Sequence, residues 1–148
     1  MALKLMVWAI LVGGAWLGSW LSVSAKKRAI APIESRWLNR WPGHVPHAAI
    51  MIAVYAAVVI WAVFQWPFRQ QASDLYFLGL VSLGFFSGMP WWWEYRGKGG
   101  YLVGGKLIRQ ASVVGATRLP GRFPVLVIRV RRGGGEADLR VRVPAEKG

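Results

Sequence analysis

The sequence predicts an α-helical integral membrane protein, with three transmembrane helices followed by a small basic C-terminal segment that contains a β-hairpin. Three observations lead there. Of the 148 residues, 55% are hydrophobic, and the mean hydropathy is +0.35, yet the formal charge is +13. The two properties are segregated: residues 1–93 hold the long apolar runs, whereas residues 94–148 carry twelve Lys/Arg against four Asp/Glu. A basic piece of that size holds only a small module, because short domains bury too little surface to be robust alone. Cysteine is absent, which excludes disulfides, thiolate metal sites and cysteine nucleophiles.

Crossing about 30 Å of hydrocarbon takes roughly 17 to 25 apolar residues in a helix, and residues 5–22, 48–66 and 74–93 each meet that length. Loop 25–46 contains Lys26, Lys27, Arg28, Arg36 and Arg40 against Glu34, while the second loop, 67–73, has only Arg69. Lys and Arg favour the cytoplasmic side, so loop 25–46 and the C-terminal tail are expected inside and the N-terminus outside, in a multi-pass inner-membrane protein. Residues 1–24 also fit a secretory signal peptide, with Lys4 as the charged start and Ser22 and Ser24 at a cleavage site. Lys26-Lys27-Arg28 directly after such a cut opposes translocation, and Trp8, Trp16 and Trp20 are unusual in a signal core.

Tryptophan rings concentrate at headgroup depth, which makes Trp91, Trp92 and Trp93 the expected inner anchor of the third span and Trp66 an outer one. Ile33, Trp37 and Trp41 recur at i, i+4 and i+8 beside Arg36 and Arg40, the pattern of a short helix lying on the cytoplasmic surface and stopped by Pro42-Gly43; an irregular loop accounts for the segment equally well. Small residues form stripes at Gly14 and Gly18 in the first span, at Ala53 in the second, and at Gly84 and Gly88 in the third. Such stripes let helices approach closely, within the chain or toward a protein partner. No charged residue interrupts the interior of a span, unlike the usual ion or proton pathway.

In the tail, residues 123–131 and 138–143 alternate around a Gly-rich connection over 132–137, a hairpin signal. Leu126, Ile128 and Val130 share one face with Leu139, Val141 and Val143, while Arg129, Arg131, Arg140 and Arg142 occupy the other. An isolated two-stranded ribbon is marginal in water, so its apolar face needs a cover. The arginine face suits the phosphates of DNA or of anionic lipid, or is simply solvated positive charge on the inner side.

Gly100 to Leu107 fits the phosphate-loop spacing except that Leu107 stands where a hydroxyl ligates Mg²⁺, which favours a Gly-rich hinge. His44 and His47 have no carboxylate or cysteine near them in sequence to complete a metal shell, and six acidic residues scattered through loops and tail offer no catalytic pair. The chain is expected to be non-enzymatic, with no cofactor and no metal.

The tail resembles the membrane-proximal region of TraD/TraG-like coupling proteins of conjugative type IV secretion. The resemblance rests on Trp93-Glu94-Tyr95-Arg96, on Gly104-Gly105-Lys106-Leu107, and on Asp138-Leu139-Arg140-Val141 with Val143-Pro144. It covers the last 55 residues or so; the family's ATPase has no counterpart in this sequence. It implies an inner-membrane anchor or assembly subunit that recruits a cytoplasmic partner or DNA to a secretion channel. The alternative is a small membrane-organising protein whose basic tail holds anionic lipid.

Overall fold

In the computed structural model, residues 2–40, 45–69 and 72–145 are described. Trp41 and His44 lie outside them. The chain forms two compact units, residues 1–22 with 48–90, and residues 23–47 with 91–148.

The first unit is helical. α1 (Ala2–Ala29) contributes all but its last two turns, and α2 (His47–Arg69) and α3 (Ala72–Gly88) complete it. α3 touches both other helices. The Ser19 hydroxyl donates to the Ser87 carbonyl, and the Trp8 ring meets Tyr76 edge-on and lies against Gly79. From α2, Tyr55 stacks on Phe85 at 4.3 Å and its hydroxyl lies 3.1 Å from that of Ser82. Large apolar side chains point outward instead of filling a core, among them Leu3 and Ile10 on α1 and Ile52, Ile60 and Phe64 on α2. Among the described residues, two helices are long and apolar enough to cross a membrane, α1 with 28 residues and the 19 residues His47–Gln65 of α2.

The chain beyond α3 corrects the expectation of a three-span helical protein. That helix has 17 residues and stops at Gly88. Pro90 lacks the N–H that would continue the ladder and disfavours helical backbone before it, so Met89–Trp92 tighten into a 3₁₀ turn and Trp93 opens a strand. The chain then builds a second unit with seven strands in two antiparallel sheets. The first sheet has the order β1 (Ile33–Leu38), β2 (Trp93–Gly97), β3 (Gly100–Val103), β4 (Lys106–Arg109). The second has the order β5 (Val113–Leu119), β6 (Val125–Arg132), β7 (Gly135–Arg142). The surface helix expected around Ile33 and Trp37 is therefore β1, which pairs with β2 across more than fifty residues of chain.

The core explains the arrangement. Trp37, Tyr101, Val103 and Ile108 of the first sheet pack against Leu126, Ile128, Val130 and Val141 of the second and Val143 just beyond β7. On the other face of the first sheet, Tyr95 and Leu102 close over Val23 and Ile30 from the end of α1 and the turn after it. The first sheet is thus covered on both faces, which a lone hairpin could not achieve. Gly97 permits that approach, since a Cβ there would lie 2.0 Å from the Ile30 carbonyl oxygen. Gly104 and Gly105, both at positive φ, form the two-residue turn between β3 and β4; the phosphate-loop spacing is a hairpin.

Candidate functional site: an arginine-lined cleft beside a buried carboxyl

Strand periodicity puts Ser35, Trp37, Glu94, Arg96, Tyr101 and Ile108 on the face of the first sheet that looks toward the second. Ser35 pairs with Arg96, Arg96 with Tyr101, and Tyr101 with Ile108, one row across four strands. The second sheet has only three strands and covers part of that face. Trp37 and Tyr101 are buried beneath it, while Ser35 and Arg96 stay exposed. A cleft of about 520 Å³ results, floored by Trp37, Tyr101, Leu126 and Val143 and walled by Glu34, Arg96 and Arg118. A second depression of about 450 Å³ adjoins it, sharing Glu34, Arg96, Tyr101 and Ala116 and adding Lys98.

The charges of the cleft are unequal. Arg96, Lys98 and Arg118 bring positive charge to the two depressions against a single carboxylate, Glu34, whereas Arg36 carries its guanidinium over the Trp93 ring. Arg96 lies over the Tyr101 ring at 5.9 Å and 3.7 Å from Glu34, with both charged side chains about half exposed (52% and 44%). Such a pair is weak and screened, so Arg96 retains most of its capacity for an anion. Arg118 is on the inner side of β5, in register with Leu126, and donates from Nη2 to the Pro144 carbonyl at 2.7 Å.

Behind the cleft sits the only buried charged residue among the described residues, Glu94, 3% exposed. Trp37, its cross-strand partner, donates from Nε1 to Oε2 at 2.7 Å. Burial pushes the Glu94 carboxyl up to about 7, against the hydrogen bonds from Trp37 and the Gly104 backbone, which favour the charged form.

The arginines singled out from sequence lie elsewhere. Arg129, Arg131, Arg140 and Arg142 belong to the outer face of the second sheet, with Val125 and Val127 between them. The register sets Arg129 opposite Asp138, with Nε 3.0 Å from Oδ1, and Arg131 opposite Glu136 at 3.7 Å, so two of the four cations meet carboxylates of their own hairpin. Trp37 and Trp92 are buried, Trp91 is half-buried with Lys26 above its ring, and Trp93 is exposed beneath Arg36. A Cβ on Gly14, Gly18 or Gly84 would meet nothing within 4 Å, whereas one on Gly79 would press on Trp8. Ala53 is exposed and Gly88 closes α3.

Sequence reasoning missed Arg96, Arg118 and Glu94 as a group. The alternation Ser35-x-Trp37 and Glu94-x-Arg96 was the available signal, and it becomes readable only once β1 is known to lie beside β2. In comparisons with known protein families, curated proteins and solved structures, no family model, curated protein or solved structure matches the chain.

Proposed function

We propose that this chain is a membrane-anchored recruitment subunit, whose β-unit lies on the cytoplasmic side of the inner membrane and holds a partner protein in the cleft between its sheets. The observation that carries this reading is the cleft itself. An apolar aromatic floor, arginines on its walls and two sheet edges beside it are equipment for binding, and the chain is read as a binding protein and not an enzyme.

The membrane part rests on α1 and α2, with their length and outward apolar surface. Orientation follows from Lys26, Lys27 and Arg28 at the end of α1 and from the basic β-unit, which favour the cytoplasm; the N-terminus is then outside. β1 precedes α2 and β2 follows α3, yet the two strands are hydrogen-bonded. DNA is the weaker partner, because Arg129 and Arg131 face Asp138 and Glu136 and the outer face has less net charge than its arginines suggest. The conjugative type IV secretion setting implied by the sequence resemblance indicates where a partner is to be sought.

Two measurements test the proposal. A reporter fused after Gly148 should read cytoplasmic. A photo-crosslinking residue at Ser35 or Ala116 should give a discrete protein adduct in cells that is absent from Thr117, on the outer side of β5, and lost on Arg96→Glu. An external reporter signal, or equal adducts from all three positions, refutes it.

A further inference from the structure

We infer that the ligand of the cleft is an extended acidic segment of a partner protein, added as a further strand on the free edge of β5. This deepens the recruitment reading above and depends on it.

Three observations converge. β5 is an edge strand, exposed from Val114 to Leu119, with no proline or lysine in its seven residues. Proteins usually blunt such an edge, since its unpaired N–H and C=O groups invite another chain. Its single charge, Arg118, is on the cleft side, where the register sets it beside Leu126. An inward arginine disfavours an apolar or basic intruder and admits an acidic one. Finally, a strand added to β5 extends the second sheet over the part of the first that it leaves uncovered. Every second side chain of that strand would then point down toward Trp37, Tyr101 and Arg96, and the others toward solvent. Backbone pairing supplies affinity, and three cations, Arg96, Lys98 and Arg118, against Glu34 supply the preference for carboxylates.

The test uses the full chain in neutral-lipid nanodiscs and short fluorescein-labelled peptides read by anisotropy. The peptides alternate valine with glutamate, alternate valine with lysine, or repeat the valine–glutamate sequence with alternate amides N-methylated, in both phases. The acidic peptide should bind saturably and the basic one should not. One N-methyl phase should weaken binding about tenfold or more by removing strand hydrogen bonds. Arg96→Glu should also weaken it about tenfold or more, at an unchanged melting temperature. Arg118→Glu is the second variant, and Arg96→Glu suffices if loss of the Pro144 bond unfolds the other.

Equal affinity for both N-methylated peptides overturns strand addition, and equal affinity of wild type and Arg96→Glu overturns the cleft. Displacement of the acidic peptide by duplex DNA or phosphatidylserine vesicles at lower concentration than by unlabelled peptide assigns the site to phosphate and also overturns the inference. Peptide failure with a persisting Ser35 adduct in cells removes the acidic strand alone; failure of both removes the recruitment reading as well.

Discussion

Replacing Glu94 by glutamine should abolish a pH dependence of stability that the wild-type chain carries. The side chain is 3% exposed, and its carboxyl titrates at about 7 instead of 4.5. Between those values the folded chain keeps a proton that the unfolded chain has released, so stability falls as pH rises through the window and levels off above pH 7. At about 1.4 kcal/mol per pH unit, the fold loses on the order of 3 kcal/mol from pH 4.5 to neutrality. Glutamine preserves shape and an acceptor for the Trp37 Nε1–H but has no proton to lose. Melts of the full chain in detergent, followed by far-ultraviolet circular dichroism from pH 5 to pH 8, should show the wild type dropping on the order of 10 °C. Glu94→Gln should stay flat and exceed the wild type at pH 8. A wild-type melting temperature that does not change over this range, or a mutant that falls with the same slope, would refute the argument that burial controls this carboxyl.

The same site and the helices give further predictions. Trp37→Phe removes a donor to the buried carboxyl, so stability at neutral pH should fall by about 1–3 kcal/mol; because that bond favours the charged form, the decline with pH should run to higher pH than in the wild type. Gly100→Ala should cost at least about 3 kcal/mol, seen as loss of cooperative melting, because φ is +136° and the new Cβ would lie 1.9 Å from the Ile108 carbonyl oxygen. Gly79→Ala should lower the melting temperature by pressing on Trp8 at 2.8 Å, whereas Gly14→Ala and Gly18→Ala should leave it unchanged or slightly raised. Replacing Asp138 and Glu136 by Asn and Gln should strengthen retention of duplex DNA and steepen its salt dependence, since Arg129 and Arg131 lose their cross-strand partners.

How far the fold could be read from sequence depends on how far apart the pairing strands lie. Alternation of Leu126, Ile128 and Val130 marks β6, and Gly133-Gly134 marks its turn, because both signals are local. Its consequence was lost through turn length. A connection spread over residues 132–137 leaves four arginines on one face; a two-residue turn fixes Arg131 opposite Glu136 and Arg129 opposite Asp138. β1 was hidden for a different reason. Spacing of four fits a helix, and the bulge between Ile33 and Ser35 breaks the strand alternation, so Ile33, opposite Gly97, and Trp37, opposite Glu94, lie on different faces of the sheet. Ser35, on the face of Trp37, carries no apolar signal. The third apolar run misled because average hydropathy is blind to Pro90: Trp91 to Tyr95 are as apolar as a span end, yet Trp92 and Tyr95 are buried within the β-unit.

The cleft itself was beyond sequence because it arises from a mismatch between sheets. β4 runs through a short 3₁₀ turn into β5, so the chain from β2 to β7 could be followed as hairpins from local signals alone. That chain would pair three strands with three and leave little open. β1 widens the first sheet to four, and it does so from a segment between α1 and α2. Glu34 and Ser35 arrive with it, and Trp37 arrives to hold Glu94. The candidate site therefore depends on one six-residue strand whose partner is distant in sequence, which ties the cleft to the same chain segment that links the first two helices.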